Sequence, residues 1–221
     1  MAKNKKKSIS NIRKQITYVH EVISTSYHEA GHAIYSLLCG MRVPYVFIFK
    51  NKKNKRVQGF CQYETPDLDL IKDPNLVFSL VDYEIGIKYA GLTAEKYHFK
   101  IISGSDNFPM FLRDGSSDDT LSAAALIRQY NISPPGKKRY SYKKKKINEV
   151  LHSLKDYWDD VTLLAHRLFR KKRMSFIDIK NLLIKHSPNK KFWKEQLKII
   201  SDLFDKNMHL DEKYLKHTLS V

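Results

Sequence analysis

Residues 26–40 read SYHEAGHAIYSLLCG, and the spacing inside this stretch orients the reading of the whole chain. His28 and His32 stand four apart, and Glu29 directly follows the first of them. Residues four apart share one face of an α-helix, so a helix here sets two imidazoles side by side. Such a pair can hold one Zn²⁺ at ~2.0–2.1 Å from each ring, with the carboxylate beside the open coordination position. The segment is amphipathic, and the helix is expected to run from about Asn11 to Leu38, with Gly40 as its C-terminal stop. Nine histidines leave room for a chance HExxH. One inside an amphipathic helix, with glycine between the two rings, favours the metal reading.

Outward from this helix, VPYVFIF (43–49) and VQGFCQY (57–63) form two β-rich runs around the charged turn KNKKNKR. That pattern predicts a hairpin with a long loop. Helical spacing returns over residues 75–99, again over about 117–130, and over about 143–171. Between the last two lies NISPPGKKRYSYKKKK (131–146), read as an exposed Lys/Pro-rich loop because Pro134-Pro135-Gly136 breaks a helix and lysines favour solvent. Ser175 followed by Asp178 predicts a capping box opening one more helix. The fold class expected is mainly α, with one small β-hairpin or sheet beside the His28 helix. Residues 1–20 are expected to be a basic, flexible arm, 21–187 the central domain, and 188–221 a helical extension.

Composition bounds the function without naming it. Forty Lys/Arg against 23 Asp/Glu leave a formal net charge of +17, with clusters at 3–7, 50–56, 137–146 and 170–173. Such a balance suits nucleic acid or an anionic surface, but a solvated basic exterior explains it equally simply. No zinc-knuckle spacing, RNP-like aromatic motif or Gly-rich phosphate loop favours the sharper reading. Cys39 and Cys61 are too few for a disulfide framework and lie in no CxxC, so they read as small core residues. No apolar run approaches the ~20 residues of a bilayer span, and the lysine-rich start lacks the apolar block of a secretory signal, so a cytoplasmic location is expected.

A catalytic zinc requires a third protein ligand. The extended pattern HExxHxxGxxH is absent, because Tyr35 and Leu38 stand where Gly and the third His would be. No Asp, Glu or His occurs from Ala33 to Tyr63, so the ligand comes from farther along. Glu64, Asp82, Glu84, Glu95, His98, Asp114, Asp118 and Asp119 are all candidates, and spacing alone does not choose among them.

Five segments in order narrow the choice by likeness. YHEAGHAIYSLLCG resembles the HEAGHA helix of the FtsH-type AAA metalloproteases, and GFCQYETPDLD resembles that family's GYTQY-type strand and acidic loop. YAGLTAEKYHF (89–99) is similar to its GGRAAEE segment, GSSDDTLSAAALIR (115–128) to its GASNDL helix start, and LLAHRLFRKKRMSFIDI (163–179) to its ALAxALLExETLxGxEI stretch. The resemblance covers roughly residues 20–185. It implies a zinc endopeptidase with His28, His32 and Asp119 as ligands and Glu29 as the base. Asp118 stands where the family has Asn, which places the ligand at the second aspartate, although Ser and Asp there would also cap a helix. It further implies that Glu95 orients one imidazole from behind, with a surface or helix-capping role as the competing reading. His98, one helical turn beyond Glu95, reads as incidental to the metal.

The expected partner is an unfolded or flexible polypeptide, added as a strand beside Val46, Phe47 and Ile48 in the apolar run 43–49. Core packing of those same residues is the competing reading. The resembled family carries an ATPase module, and this chain has no GxxxxGK[ST] loop, so unfolding stable substrates would need a separate ATPase. The family's assembly into rings makes a homo-oligomer part of the same expectation, with AGL (90–92) in place of GGR as a departure that would alter it. The competing class is a non-catalytic adaptor that docks nucleic acid or acidic partners on its basic surface, which the intact HEAGH argues against.

Overall fold

The computed structural model describes residues 2–65, 67–68, 71–107, 117–133 and 136–205. The elements run α1 (Ala2–Leu38), β1 (Arg42–Lys50), β2 (Val57–Glu64), α2 (Pro74–Ser103), α3 (Ser117–Gln129), α4 (Lys137–Asp156), α5 (Trp158–Lys171), β3 (Arg173–Ser175), α6 (Phe176–His186) and α7 (Lys190–Asp205). The fold is mainly helical with one three-stranded antiparallel sheet, in the order β2-β1-β3. No helix among the described residues is long and apolar enough to cross a membrane.

Helix α1 begins at Ala2, so the stretch expected to be a loose arm is helical. No Gly or Pro precedes Gly31, so nothing in that stretch breaks the helix. Gly31 itself has a packing role. A Cβ there would lie 2.5 Å from the Ala94 Cβ and 2.7 Å from the Ala90 carbonyl oxygen, so the glycine lets α1 and α2 approach closely. Gly40 follows α1 with φ 76°, the left-handed turn expected of the stop. Helix α2 opens on an Asp73 cap with Pro74 in its first turn and closes on Gly104 at φ 66°.

The core joins α1, the sheet and α5–α7. Ile34, Leu37, Leu164, Leu168, Ile179, Leu183 and Trp193 are all fully buried within it, each such aliphatic side chain contributing roughly 1.5–3 kcal/mol by leaving water. A smaller cluster, Val81, Ile85, Tyr89, Ala123 and Ile127, fixes α3 against α2. Through that cluster Asp119, near the start of α3, is carried towards α1.

Three expectations are corrected. Residues 137–146 are not loop but the first half of α4. Lysine is a good helix former, and Lys146 is anchored by ion pairs to Asp82 and, at 2.7 Å, to Glu149. The helix expected over 143–171 is two helices that meet at Tyr157, whose ring packs 5.0 Å from Phe192 and 5.6 Å from Trp193 of α7. Tertiary packing outweighs local propensity there. Finally, β1 is the central strand. Val46 pairs with Cys61 and Met174, Phe47 with Phe60 and Arg173, and Ile48 with Gly59 while donating its N–H to the Lys172 carbonyl at 2.8 Å. Val46, Phe47 and Ile48 therefore offer no free edge for an added strand, because β3, only three residues long, covers it. The capping box at Ser175 and Asp178 is present, and α7 lies in the expected helical extension, of which residues 206–221 are outside the described residues.

Candidate metal centre

His28 and His32 lie on the buried face of α1 and point at α2, where Gly91 makes room for them. A Cβ at Gly91 would collide with both Nε2 atoms. Each ring is fixed from behind through its Nδ1. His32 Nδ1 donates to the Ile87 carbonyl at 2.7 Å, and His28 Nδ1 lies 3.1 Å from Glu95 Oε2. Glu95 is held in turn by the Ser24 hydroxyl, which donates to its Oε1. With both Nδ1 atoms committed to these acceptors, the Nε2 lone pairs are left to face inward.

Across from them stands Asp119. Its Oδ2 is 3.2 Å from His28 Nε2 and 3.2 Å from His32 Nε2, and the two Nε2 atoms are 3.1 Å apart. Three ligands at tetrahedral angles and ~2.0–2.1 Å from one ion would be ~3.3–3.4 Å apart. The near-equilateral triangle comes within a few tenths of an ångström of that. The donor set, two imidazoles and one carboxylate, suits a divalent transition metal, so these residues fit such an ion.

The electrostatics agree with that fit. Burial alone would lower the His28 pKa, but the hydrogen bonds with Asp119 and Glu95 and the charges of Glu29 and Glu95 outweigh it and raise the ring to about 10. Burial would raise Asp119, but its hydrogen bonds with His28 and His32 prevail and hold the carboxyl well below its usual range. The cluster therefore retains positive charge strongly, as a proton or as a metal ion in its place. Glu29 is pushed upward by burial, against the opposing pull of the two imidazoles. Its side chain lies against Gly59 of β2, where any Cβ would strike the carboxylate.

A cleft of about 930 Å³ opens onto this centre. One wall is the α1 face of Thr17, Glu21, Ser24 and Thr25, and the other is Val57 to Phe60 of β2 with Phe47 and Phe49 of β1. Phe47 and Ile48 therefore contribute by side chain and by core packing, not by an open edge. Among the described residues the sheet's outer strands are β2 and β3; the cleft lies along β2, where Glu21 Oε2 accepts from the Val57 N–H at 3.3 Å.

The remaining third-ligand candidates are placed elsewhere. Glu64 pairs with Arg42 at 3.8 Å, and Asp82 with Lys146. Glu84 lies outside the triad, its pKa raised by burial against the pull of Lys88. His98 stacks on Tyr27 at 3.5 Å between centroids, and burial lowers its pKa to about 4. Asp118 is exposed on the cleft rim, and Asp114 lies outside the described residues. Sequence reasoning missed Gly91, Gly59 and Ser24. A glycine in the middle of a long helix costs stability, which is the one signal that could have flagged Gly91.

Compared with protein-family models the chain matches none, and a search of curated proteins likewise finds no match.

Proposed function

We propose that the chain is a zinc-dependent endopeptidase of the FtsH type, acting on unfolded or flexible polypeptide. The observation that carries this reading is the convergence of His28, His32 and Asp119 within hydrogen-bonding distance of one another, with Glu29 one residue along the same helix turn. Among metals suited to two imidazoles and a carboxylate, zinc is the one this HExxH arrangement is built around. Bound there, the ion supplies Lewis acidity, bringing the pKa of water from ~15.7 towards ~7 and polarising a peptide carbonyl.

The chain's own residues do the rest. His28, His32 and Asp119 hold the site, and Glu95 and the Ile87 carbonyl keep both rings in one tautomer and orientation. Glu29 takes a proton from the attacking water and passes it to the departing amine. Burial raises its pKa, which makes its charged form a stronger base towards the attacking water. Phe47, Phe49 and Phe60 offer apolar side chains of the substrate a wall in the same cleft, and the outer edge of β2 can pair with the substrate backbone. Pairing at Val57 displaces Glu21 from its N–H. A substrate without stable structure, or one delivered by a separate ATPase, meets that requirement.

The test is digestion of an unfolded casein-type substrate. Glu29→Gln keeps its metal and loses cleavage by ~10²–10⁴-fold. Cleavage by Glu29→Gln at the wild-type rate would remove Glu29 from the base role.

A further inference from the structure

We infer that Glu21 is a specificity-determining residue of the cleft and selects a lysine or arginine side chain of the bound polypeptide, an inference that rests on the peptidase reading. Glu21 precedes His28 by seven residues, so it lies on nearly the same face of α1, ~10.5 Å towards the N-terminus. Its carboxylate accepts from the Val57 N–H at 3.3 Å, and among the described contacts no Lys or Arg is paired with it.

The sheet fixes which substrate residue meets this carboxylate. Val57 pairs with Lys50 of β1, yet its N–H goes to Glu21, so that N–H points to the outer side of β2. Val57 and Gly59 are two apart and share one face of the strand. It is the face against α1, since a Cβ at Gly59 would strike the Glu29 carboxylate. A strand laid along β2 turns each side chain to the same face as its direct neighbour. The substrate residue opposite Gly59 therefore stands beside Glu29, and the one opposite Val57, two residues along, directs its side chain towards Glu21.

Charge decides what that side chain is. A carbonyl of the incoming strand takes the Val57 N–H and releases the Glu21 carboxylate. An anion stripped of its donor in a partly enclosed cleft costs free energy. An ammonium or guanidinium group restores the lost partner, and a second carboxylate adds repulsion. A neutral amide or hydroxyl leaves the charge uncompensated. The surroundings have the same sign, because Glu21, Glu29, Glu95 and Asp118 line the cleft with Arg56 as the one Lys or Arg among its lining residues. The neighbouring Val57 side chain suits the aliphatic stem of Lys or Arg.

The experiment is digestion of a peptide library from denatured protein by the zinc-loaded full chain, with cleavage sites mapped by mass spectrometry. Lys and Arg are expected to be enriched about fivefold at one position within about three residues of the cleaved bond, and Asp and Glu to be depleted there. Glu21→Gln is expected to keep its zinc and its circular dichroism and to lose that enrichment. Glu21→Lys is expected to favour Asp or Glu at the same position. The inference is overturned if the wild type shows no basic preference at any such position, or if either variant keeps it, and in both cases the peptidase reading stands. Absence of any cleavage by the zinc-loaded wild type would overturn the peptidase reading, and this subsite with it.

Discussion

Two clusters of charged side chains tie distant segments of this chain together, and they are built on opposite principles. Between α2 and α4, Lys146 reaches Asp82 and Glu149, and the Tyr142 hydroxyl donates to Asp82 at 2.5 Å. A buried cation there meets carboxylates that reach solvent, so the cluster is complete in itself. At the α1–α2–α3 junction three carboxylates, Glu29, Glu95 and Asp119, surround two imidazoles, and no Lys or Arg is paired with them among the described contacts. The first cluster is complete within the chain; the second has the donor set that an added cation would complete. Buried polar groups that compensate one another fix geometry, whereas an uncompensated set marks a place for a ligand.

The largest effects that would sharpen this contrast concern the second cluster. Asp119→Ala is expected to weaken zinc binding by more than ~100-fold, and Glu95→Gln by ~10–100-fold, the range for a group that orients a ligand from behind. Competition against a chromogenic chelator measures both. Equal affinities for all three proteins would dissolve the distinction between the clusters.

Next in size is a pH effect specific to the metal-free protein. The His28 pKa is raised to about 10 in the folded chain, against ~6.5 for an unperturbed imidazole. The stability it contributes is therefore fully present below ~6.5 and is lost as pH rises through about 10. Thermal unfolding in chelator should show a falling Tm across that window. Saturating zinc, which replaces the proton, should remove the fall. A flat profile in chelator would show that the cluster holds no such proton.

The smallest effect belongs to the closed cluster. Lys146→Met is expected to cost about 1–2 kcal/mol, less than the usual figure for a broken buried pair because Asp82 and Glu149 reach solvent. Denaturant unfolding measures it, and zinc affinity should not change. A matching loss of zinc affinity would mean the two clusters are coupled through α2.

What the sequence conveyed about the site follows how local each feature is. His28, Glu29 and His32 sit within five consecutive residues of one helix, so their spacing alone marks them as a candidate metal site. Asp119 lies 87 residues beyond His32 and meets it only because Ile85, Tyr89, Ala123 and Ile127 pack α3 on α2. Spacing could not choose it from eight candidates, and only likeness to a family pointed there. The hairpin and most helices were legible from periodicity. Strand β3 was not, since three residues carry no period, and missing it made β1 look like an edge. The break at Tyr157 was equally hidden, because its cause, Phe192 and Trp193, lies some 35 residues on. The helix over 137–146 was masked by lysines that read as solvent-loving loop until Asp82 supplied a partner.

The most direct test of the central claim is an anomalous difference map at the zinc edge from crystals grown with zinc. The account predicts one peak per chain, bonded to His28 Nε2, His32 Nε2 and Asp119 Oδ2 at ~2.0–2.2 Å. No peak, or a peak on other side chains with Asp119 turned away from the rings, would contradict it.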